Sequence, residues 1–404
     1  MYGKWHDKAY PRMVSTLCTC VLCFILVAGL WPFHVPKNDV TWLDKGDGLS
    51  FGHYGSILSS HTFQTNSDGN TSGSIELWLV PNQVRGEHTI LSFDSSAHPG
   101  IPFSVHQKSD GLVVHQHNED TRGTSRTAWL PVDGVFREKR PVFLTIALGS
   151  HETLVYVDGV LVKGSSILGA STKNLTGRLV VANSPSGSDS WPGEILGLAI
   201  YDRQLTPAQV AQHYESWTKK RRPALAQDEG QVALYLFNER VGDIVHNHQD
   251  PLTDLTIPKR YFVLHSAFLA PPWREYHANW NYWEDFGINI AGFIPMGFCV
   301  VAYLSSVRVT ERRAATTIVL GFVTSLTIET VQAFLPTRDS GMTDLITNTL
   351  GTAIGVMLYR LPVTQGLLTK AKQHGTSTNL STSTIRGPGT VSADSVTVGT
   401  SVQV

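Results

Sequence analysis

Glu329, Gln332, Arg338, Asp339, Asp344 and Asn348 stand within twenty residues of one another, at the shared end of two apolar segments in the stretch 320–359. Ionisable groups at mid-bilayer cost about 2.5–3.5 kcal/mol each on insertion scales, so they are rare without a role. Their types suggest two kinds of chemistry. An arginine fork binds carboxylate or phosphate through two parallel hydrogen bonds. Carboxylates partly withdrawn from water exchange protons or accept hydrogen bonds. Asn289 adds an amide to the preceding apolar segment. No nucleophile motif, metal-ligand set or phosphate-cradling glycine loop accompanies them, so the sequence assigns no catalytic residue and no cofactor.

Apolar segments must position these groups. Residues 13–33 carry no charge over 21 residues, enough to cross a bilayer at roughly 20 residues per span. The run ends in Gly-Leu-Trp-Pro-Phe rather than a small-residue cleavage signature, so we read an uncleaved anchor. Three further spans follow at 286–306, 314–335 and 345–361. Lys4, Lys8 and Arg12 precede the first span; Arg308, Arg312 and Arg313 fill one loop; Arg360, Lys370 and Lys372 follow the last span. The positive-inside rule then puts residues 1–12, the loop 307–313 and the tail 362–404 in the cytoplasm, and 34–285 and 336–344 outside. Glu329 lies six residues from the outer end of its span, about 9 Å at 1.5 Å per residue. Gln332 shares its helix face. Asp344 and Asn348 open the last span and lead to Gly351 and Gly355, a small-xxx-small spacing that permits close helix approach. The aromatic loop 271–285 suits the headgroup layer. The tail 362–404, rich in Ser, Thr and Gly, reads as disordered.

The middle of the chain is soluble in character. Short alternating runs at 74–80, 89–93, 111–117, 142–148, 153–162, 177–183 and 193–201, without intervening helices, predict an all-β sandwich. Asp158-Gly159 marks a tight hairpin. Thr206-Pro207 opens one short helix. Residues 231–257 contain further strand-like pieces, expected to pack on the sandwich or form a stalk within a linker at 218–260. Trp129, Trp191, His115 and His117 are candidates for sugar contact, against the commoner reading of core aromatics and surface histidines. No strand carries the E-x-D-x-E pattern that paired catalytic carboxylates would need. Asp94, Glu119 and Asp120 have no spacing diagnostic of Ca²⁺. A net charge of −1 removes any case for nucleic-acid binding. Cys18, Cys20, Cys23 and Cys299 read as small buried apolar residues rather than ligands or disulfide partners.

Two resemblances follow. The E-x-W strand, the "YVDG" hairpin and "GEILGLAIYDRQLTPAQVAQHY" resemble a LamG-like jelly roll of the concanavalin-A-like superfamily over residues 49–217, which implies a glycan- or protein-binding module. "DFGINIAGFIPMGF" and "SLTIETVQAFLPTRDSGMTDLITNTLGTAIG" resemble the VanZ-like family over 261–361, with Asn289, Pro295, Gly297, Glu329, Gln332, Arg338, Asp339, Asp344, Asn348, Gly351 and Gly355 as the matching positions. That resemblance implies a multi-pass protein of the bacterial plasma membrane and low-level resistance to teicoplanin-type glycopeptides. The expected fold is therefore a jelly roll joined to an all-α module of four spans, with the lipid bilayer and a glycan or cell-wall precursor as partners. Three readings stay open: an envelope binding protein, an enzyme acting on lipid-linked cell-wall intermediates, and a membrane-anchored lectin-like protein. In the last, the polar groups only join helices, through Asp344 as an N-cap, a Glu329–Arg338 pair and Asn348.

Overall fold

The structure, a computed structural model, describes residues 3–63, 72–95, 101–119, 125–166, 175–187, 189–220, 230–266, 268–276, 280–307, 312–338 and 340–367. The chain divides into a strand-rich unit, residues 30–274 and 329–341, and a helical unit made of the remainder.

Two antiparallel eight-stranded sheets build the strand-rich unit. One runs β1 (Val40–Trp42), β2 (Leu49–Phe51), β13 (Gly193–Tyr201), β4 (Gly73–Pro81), β9 (Val142–Leu148), β10 (Thr153–Val157), β11 (Val160–Ser165), with β14 (Gln231–Tyr235) also on β13. The other runs β15 (Ile244–Val245), β16 (Leu255–Thr256), β3 (Ile57–Ser59), β12 (Arg178–Val181), β5 (Glu87–Asp94), β6 (Phe103–Lys108), β7 (Gly111–Glu119), β8 (Ser125–Val132). Between them, Ile75, Leu77 and Leu79 of one sheet and Phe93, Phe103 and Val114 of the other share one apolar core. The turn between β10 and β11 places Asp158 and Gly159 both at positive φ, the backbone a two-residue hairpin of primed type requires.

Helix α2 (Pro207–Thr218) covers the outer face of the first sheet. Thr206 and Gln209 form a capping box at its start, satisfying two helical donors. Trp217 and Val210 join Phe143, Tyr156 and Tyr201 in a second cluster. At Gly197 a Cβ would stand 2.0 Å from the Trp217 ring, so only glycine admits the indole. With both faces buried, β9 reads VFLTIAL, buried throughout; such a run has no polar side to show.

Of the two outcomes expected for residues 231–257 within the linker at 218–260, packing on the sandwich is the one the structure shows. β14 extends the first sheet, and β15 and β16 extend the second, so those short strands bury apolar residues on existing edges rather than form a stalk. β1 carries the sandwich back to Val40 rather than residue 49.

The long helices are α1 (Gly3–Leu30), α4 (Trp280–Val307), α5 (Arg313–Gln332) and α6 (Met342–Arg360), all of the helical unit except Leu30 and the last turn of α5, 329–332, which fall in the strand-rich unit; a one-turn α3 (Pro272–Glu275) precedes α4. The aromatic stretch expected as a loop is partly helical: Trp280, Tyr282 and Trp283 form the start of α4, since nothing between Trp280 and Phe286 breaks a helix. α5 ends at Gln332 rather than Leu335, and α6 begins at Met342, so Asp344 lies in the first turn rather than at the cap. Among the described residues three helices are long and apolar enough to cross a membrane, at Pro11–Leu30, Tyr282–Val307 and Arg313–Gln332. The polar first turn and Arg360 set the shorter α6 apart from them. Cys20 and Cys23 are exposed on α1, whereas Cys299 is buried. Residues 362–367 of the expected disordered tail are helical, and 368–404 lie outside the described residues.

α6 packs backbone to backbone on α4. A Cβ at Gly351 would lie 2.2 Å from the Ile290 carbonyl oxygen, and one at Gly355 2.2 Å from that of Ile294. Gly297 returns the fit, its Cβ position 2.1 Å from Thr352 O. Small residues on both surfaces let the helices touch, and contact is what drives association where the surroundings are already apolar.

Candidate functional site

The sequence-predicted polar residues fall into two groups. In the helical unit, Asn289 of α4 donates from Nδ2 to Asp344 Oδ1 of α6 at 2.7 Å. One turn on, Asn348 is 4% exposed and donates to Ser325 Oγ of α5 at 3.0 Å. Asn348 Oδ1 is buried without a hydrogen-bond partner among the described residues. Glu275 caps α6: its Oε2 accepts from the Thr343 amide at 3.0 Å and from the Thr343 hydroxyl. The start of α6 thus gathers two carboxylates, Glu275 and Asp344, where the helix dipole favours negative charge. Glu275 was missed in the sequence because it lies 68 positions from Thr343; no local spacing marks a cap supplied from so far.

In the strand-rich unit, Glu329 is 1% exposed and accepts from the Gly341 amide at 2.8 Å. Gln332 is buried one turn later. The segment after α5 is tied down: Ala270 N donates to Ser340 O at 2.9 Å, and Leu269 N to Ser340 Oγ at 3.3 Å. Arg338 is exposed, and both its Nε (3.2 Å) and Nη2 donate to the Trp31 carbonyl. That hold orients the guanidinium while part of the fork stays available to an anion. Asp339 lies outside the described residues.

On the sandwich, the outer face of the second sheet carries a row of polar and aromatic side chains. Strand register places Trp129 beside His115, and His115 beside Ser104. Trp129 is 54% exposed, its ring 4.3 Å from the His115 ring centre. Ser104 Oγ lies 2.7 Å from His106 Nε2 and 3.3 Å from His115 Nδ1, and His106 Nδ1 lies 3.1 Å from Thr89 Oγ1. Burial, then the neighbouring His106 and His117, pull the His115 pKa down to about 4, and burial lowers that of His106. Both rings are therefore neutral at pH 7; His106 engages both its nitrogens with Ser104 and Thr89, and His115 engages Nδ1 with Ser104, which fixes the polar groups beside the indole. Because the folded value lies below the ordinary ~6.5, stability linked to His115 is intact above about pH 6.5 and falls as pH drops toward 4. His117 lies farther along β7, 3.2 Å from Thr127 Oγ1.

Trp191, the other sugar candidate, is fully buried and donates to Gln107 Oε1 at 2.6 Å; it is core. Asp94 accepts from His265 Nε2 at 2.8 Å. The Glu119 side chain and Asp120, named with it for Ca²⁺, lie outside the described residues.

A buried network beneath α2 was also missed. His213 Nδ1 donates to Glu76 Oε1 at 2.9 Å, and the Tyr201 hydroxyl donates to Glu76 Oε2 at 2.8 Å. The signal was present: Glu76 is the one charge in SIELWLV. Glu76 is fully buried and its partner nearly so, so the network holds α2 to the sheet rather than meeting a ligand.

Fold and polar groups together define a membrane protein that carries an antiparallel jelly roll. Residues 52–211 match the concanavalin A-like lectin/glucanases superfamily and residues 229–363 match VanZ/LLP1: the chain joins a concanavalin-A-like domain to a C-terminal VanZ-like domain. The second match begins inside the sandwich, since β14, β15 and β16 fall within it. Among solved structures, the chain is similar to a "putative carbohydrate binding protein" from Bacteroides ovatus ATCC 8483, at 11% identity over 57% of this chain and 63% of that one, with TM-score 0.36. It is also similar to the receptor binding domain of botulinum neurotoxin C/D mosaic serotype, at 14% identity over 45% of each chain, with TM-score 0.33. The chain thus spans less than two thirds of either. No curated protein matches it.

Proposed function

We propose that the protein is an integral membrane protein of the bacterial envelope that reads a glycan outside the plasma membrane through the Trp129–His115 face of its sandwich. The observation that carries this reading is a half-exposed indole set against neutral imidazoles. A sugar ring stacks its C–H face on an aromatic surface, while uncharged donors and acceptors beside it suit hydroxyl groups. In this reading the chain crosses the membrane four times and exports residues 34–285. The VanZ-like module presents Glu329 on α5, Arg338 in the segment after it and Asp344 on α6 toward the outer leaflet. There Arg338 holds an anionic group of a cell-wall precursor, while Glu329 ties down the segment that carries it through the Gly341 amide; Asp344, through Asn289, sets the α4–α6 pair. Asp339 belongs to the same proposal by sequence position.

Susceptibility to a teicoplanin-type glycopeptide tests the reading in cells. Trp129→Ala, Glu329→Gln, Arg338→Ala and Asp344→Asn are each expected to raise susceptibility to that of cells lacking the protein, at wild-type membrane abundance. Unchanged susceptibility in all four variants at that abundance overturns the reading.

A further inference from the structure

A cleft of about 500 Å³ in the strand-rich unit is walled by Val35, Phe262, Val263, Ala333 and Phe334, with Arg260 in the same lining. A smaller polar recess of about 220 Å³, lined by His53, Ser186, Ser190 and Thr337 among others, adjoins it: Tyr261 and Pro336 line both. Tyr261 is a fixed partition. Its hydroxyl donates to Gly187 O at 2.6 Å and accepts from Asn183 Nδ2 at 2.7 Å. The Thr337 hydroxyl oxygen is buried and has no hydrogen-bond partner among the described residues.

Chain position fixes what this cleft meets. Phe334 is 80% exposed and stands two residues beyond Gln332, the last residue of a candidate span. With α5 as a span, an exposed phenylalanine two residues past its end falls at the level of the headgroups, where an apolar ring meets lipid. Arg260 pairs across a short backbone ribbon with Lys37. Lys37, Lys259 and Arg260 are all exposed, and none makes an ion pair among the described residues. An apolar chamber, a polar chamber and an unpaired arginine make an amphiphile-shaped site with cationic character.

We propose that this two-chambered cleft holds one anionic phospholipid from the leaflet on the sandwich's side. An acyl chain lies along Phe262, Val263 and Phe334. The phosphate takes two parallel bonds from the Arg260 guanidinium, and headgroup hydroxyls reach Thr337 and Ser186 in the recess. This inference rests on α5 as a span and is independent of the glycan face.

The test uses the full chain purified from nanodiscs containing equal phosphatidylglycerol and phosphatidylcholine, with retained lipid counted by native mass spectrometry. Wild type is expected to retain one phosphatidylglycerol about tenfold over phosphatidylcholine: both carry the phosphate, but phosphatidylcholine sets a cation beside Arg260 and lacks the hydroxyls that would reach Thr337 and Ser186, a difference on the order of one charged hydrogen-bonding group. Arg260→Ala, at an exposed position, removes that preference. Ala333→Trp fills the apolar chamber and retains neither lipid, at unchanged Tm. Absence of retained lipid, equal retention of the two lipids by wild type, or an undiminished preference in Arg260→Ala overturns the proposal. So does recovery from cells of a lipid-linked saccharide in place of phospholipid. If Ala333→Trp fails to fold, Arg260→Ala alone decides.

Discussion

Gly355→Leu is expected to unfold the α4–α6 pair and remove most of the protein from the membrane. The Cβ position at Gly355 lies 2.2 Å from Ile294 O and 2.7 Å from Phe298 N. Both are backbone atoms, so no side chain can swing aside. Overpacking of a tight site costs typically about 1–3 kcal/mol, more when the backbone must move. Here the helices would have to separate, and separation would also stretch the Asn289–Asp344 hydrogen bond across the same interface. Gly292 is the control. It lies on the same α4, with nothing within 4 Å of its Cβ position, so Gly292→Leu should leave detergent Tm and membrane abundance unchanged. If the two variants behave alike, the close packing of α6 on α4 is wrong.

Glu76→Leu is the second large effect, expected in the sandwich. The variant leaves His213 and the Tyr201 hydroxyl in a buried site without their shared carboxylate. Removing one member of a buried pair costs about 3–5 kcal/mol, which for a domain of this size lowers Tm by roughly 6–20 °C. The triple variant Glu76→Leu, His213→Leu, Tyr201→Phe should regain much of the loss, because both buried partners of the carboxylate are then removed with it. Circular dichroism of the full chain during heating measures both. A single variant as stable as wild type would contradict the assignment of Glu76 as the anchor of α2.

Much of this architecture was legible in the residues. Strand alternation located β4, β5, β7 and β9–β13 but neither β6 nor β8; Asp158-Gly159 located the hairpin, and Thr206-Pro207 located α2, because each carries a local signal. β1, β2 and β3 carry little: strands of three residues owe their form to the edge they join, and that edge is distant in sequence; for β14–β16 the strand-like pieces of 231–257 were legible but their pairing was not. The polar cluster was legible as a set of residue types, since an acid or amide in an apolar run is conspicuous. Its partners were not. Asn289 meets Asp344 and Glu275 meets Thr343 only once the helices pack, and Arg338 turns to the Trp31 carbonyl, a backbone atom no side-chain spacing reveals. Trp129 and Trp191 show the same limit: no local spacing separates them, and only the folded chain leaves Trp129 half-exposed on β8 and buries Trp191.

The most direct test of the central claim is a glycan array probed with the purified full chain, wild type beside Trp129→Ala. Wild type is expected to bind a defined set of glycans. Trp129→Ala should lose that binding at unchanged Tm, because the indole is half exposed and its removal opens no core cavity. Binding by wild type should hold from pH 8 to about 5.5 and fall toward pH 4, as His115 takes up the proton that burial and its neighbours keep off it. Absence of glycan binding by wild type, or equal binding by Trp129→Ala, would contradict the account.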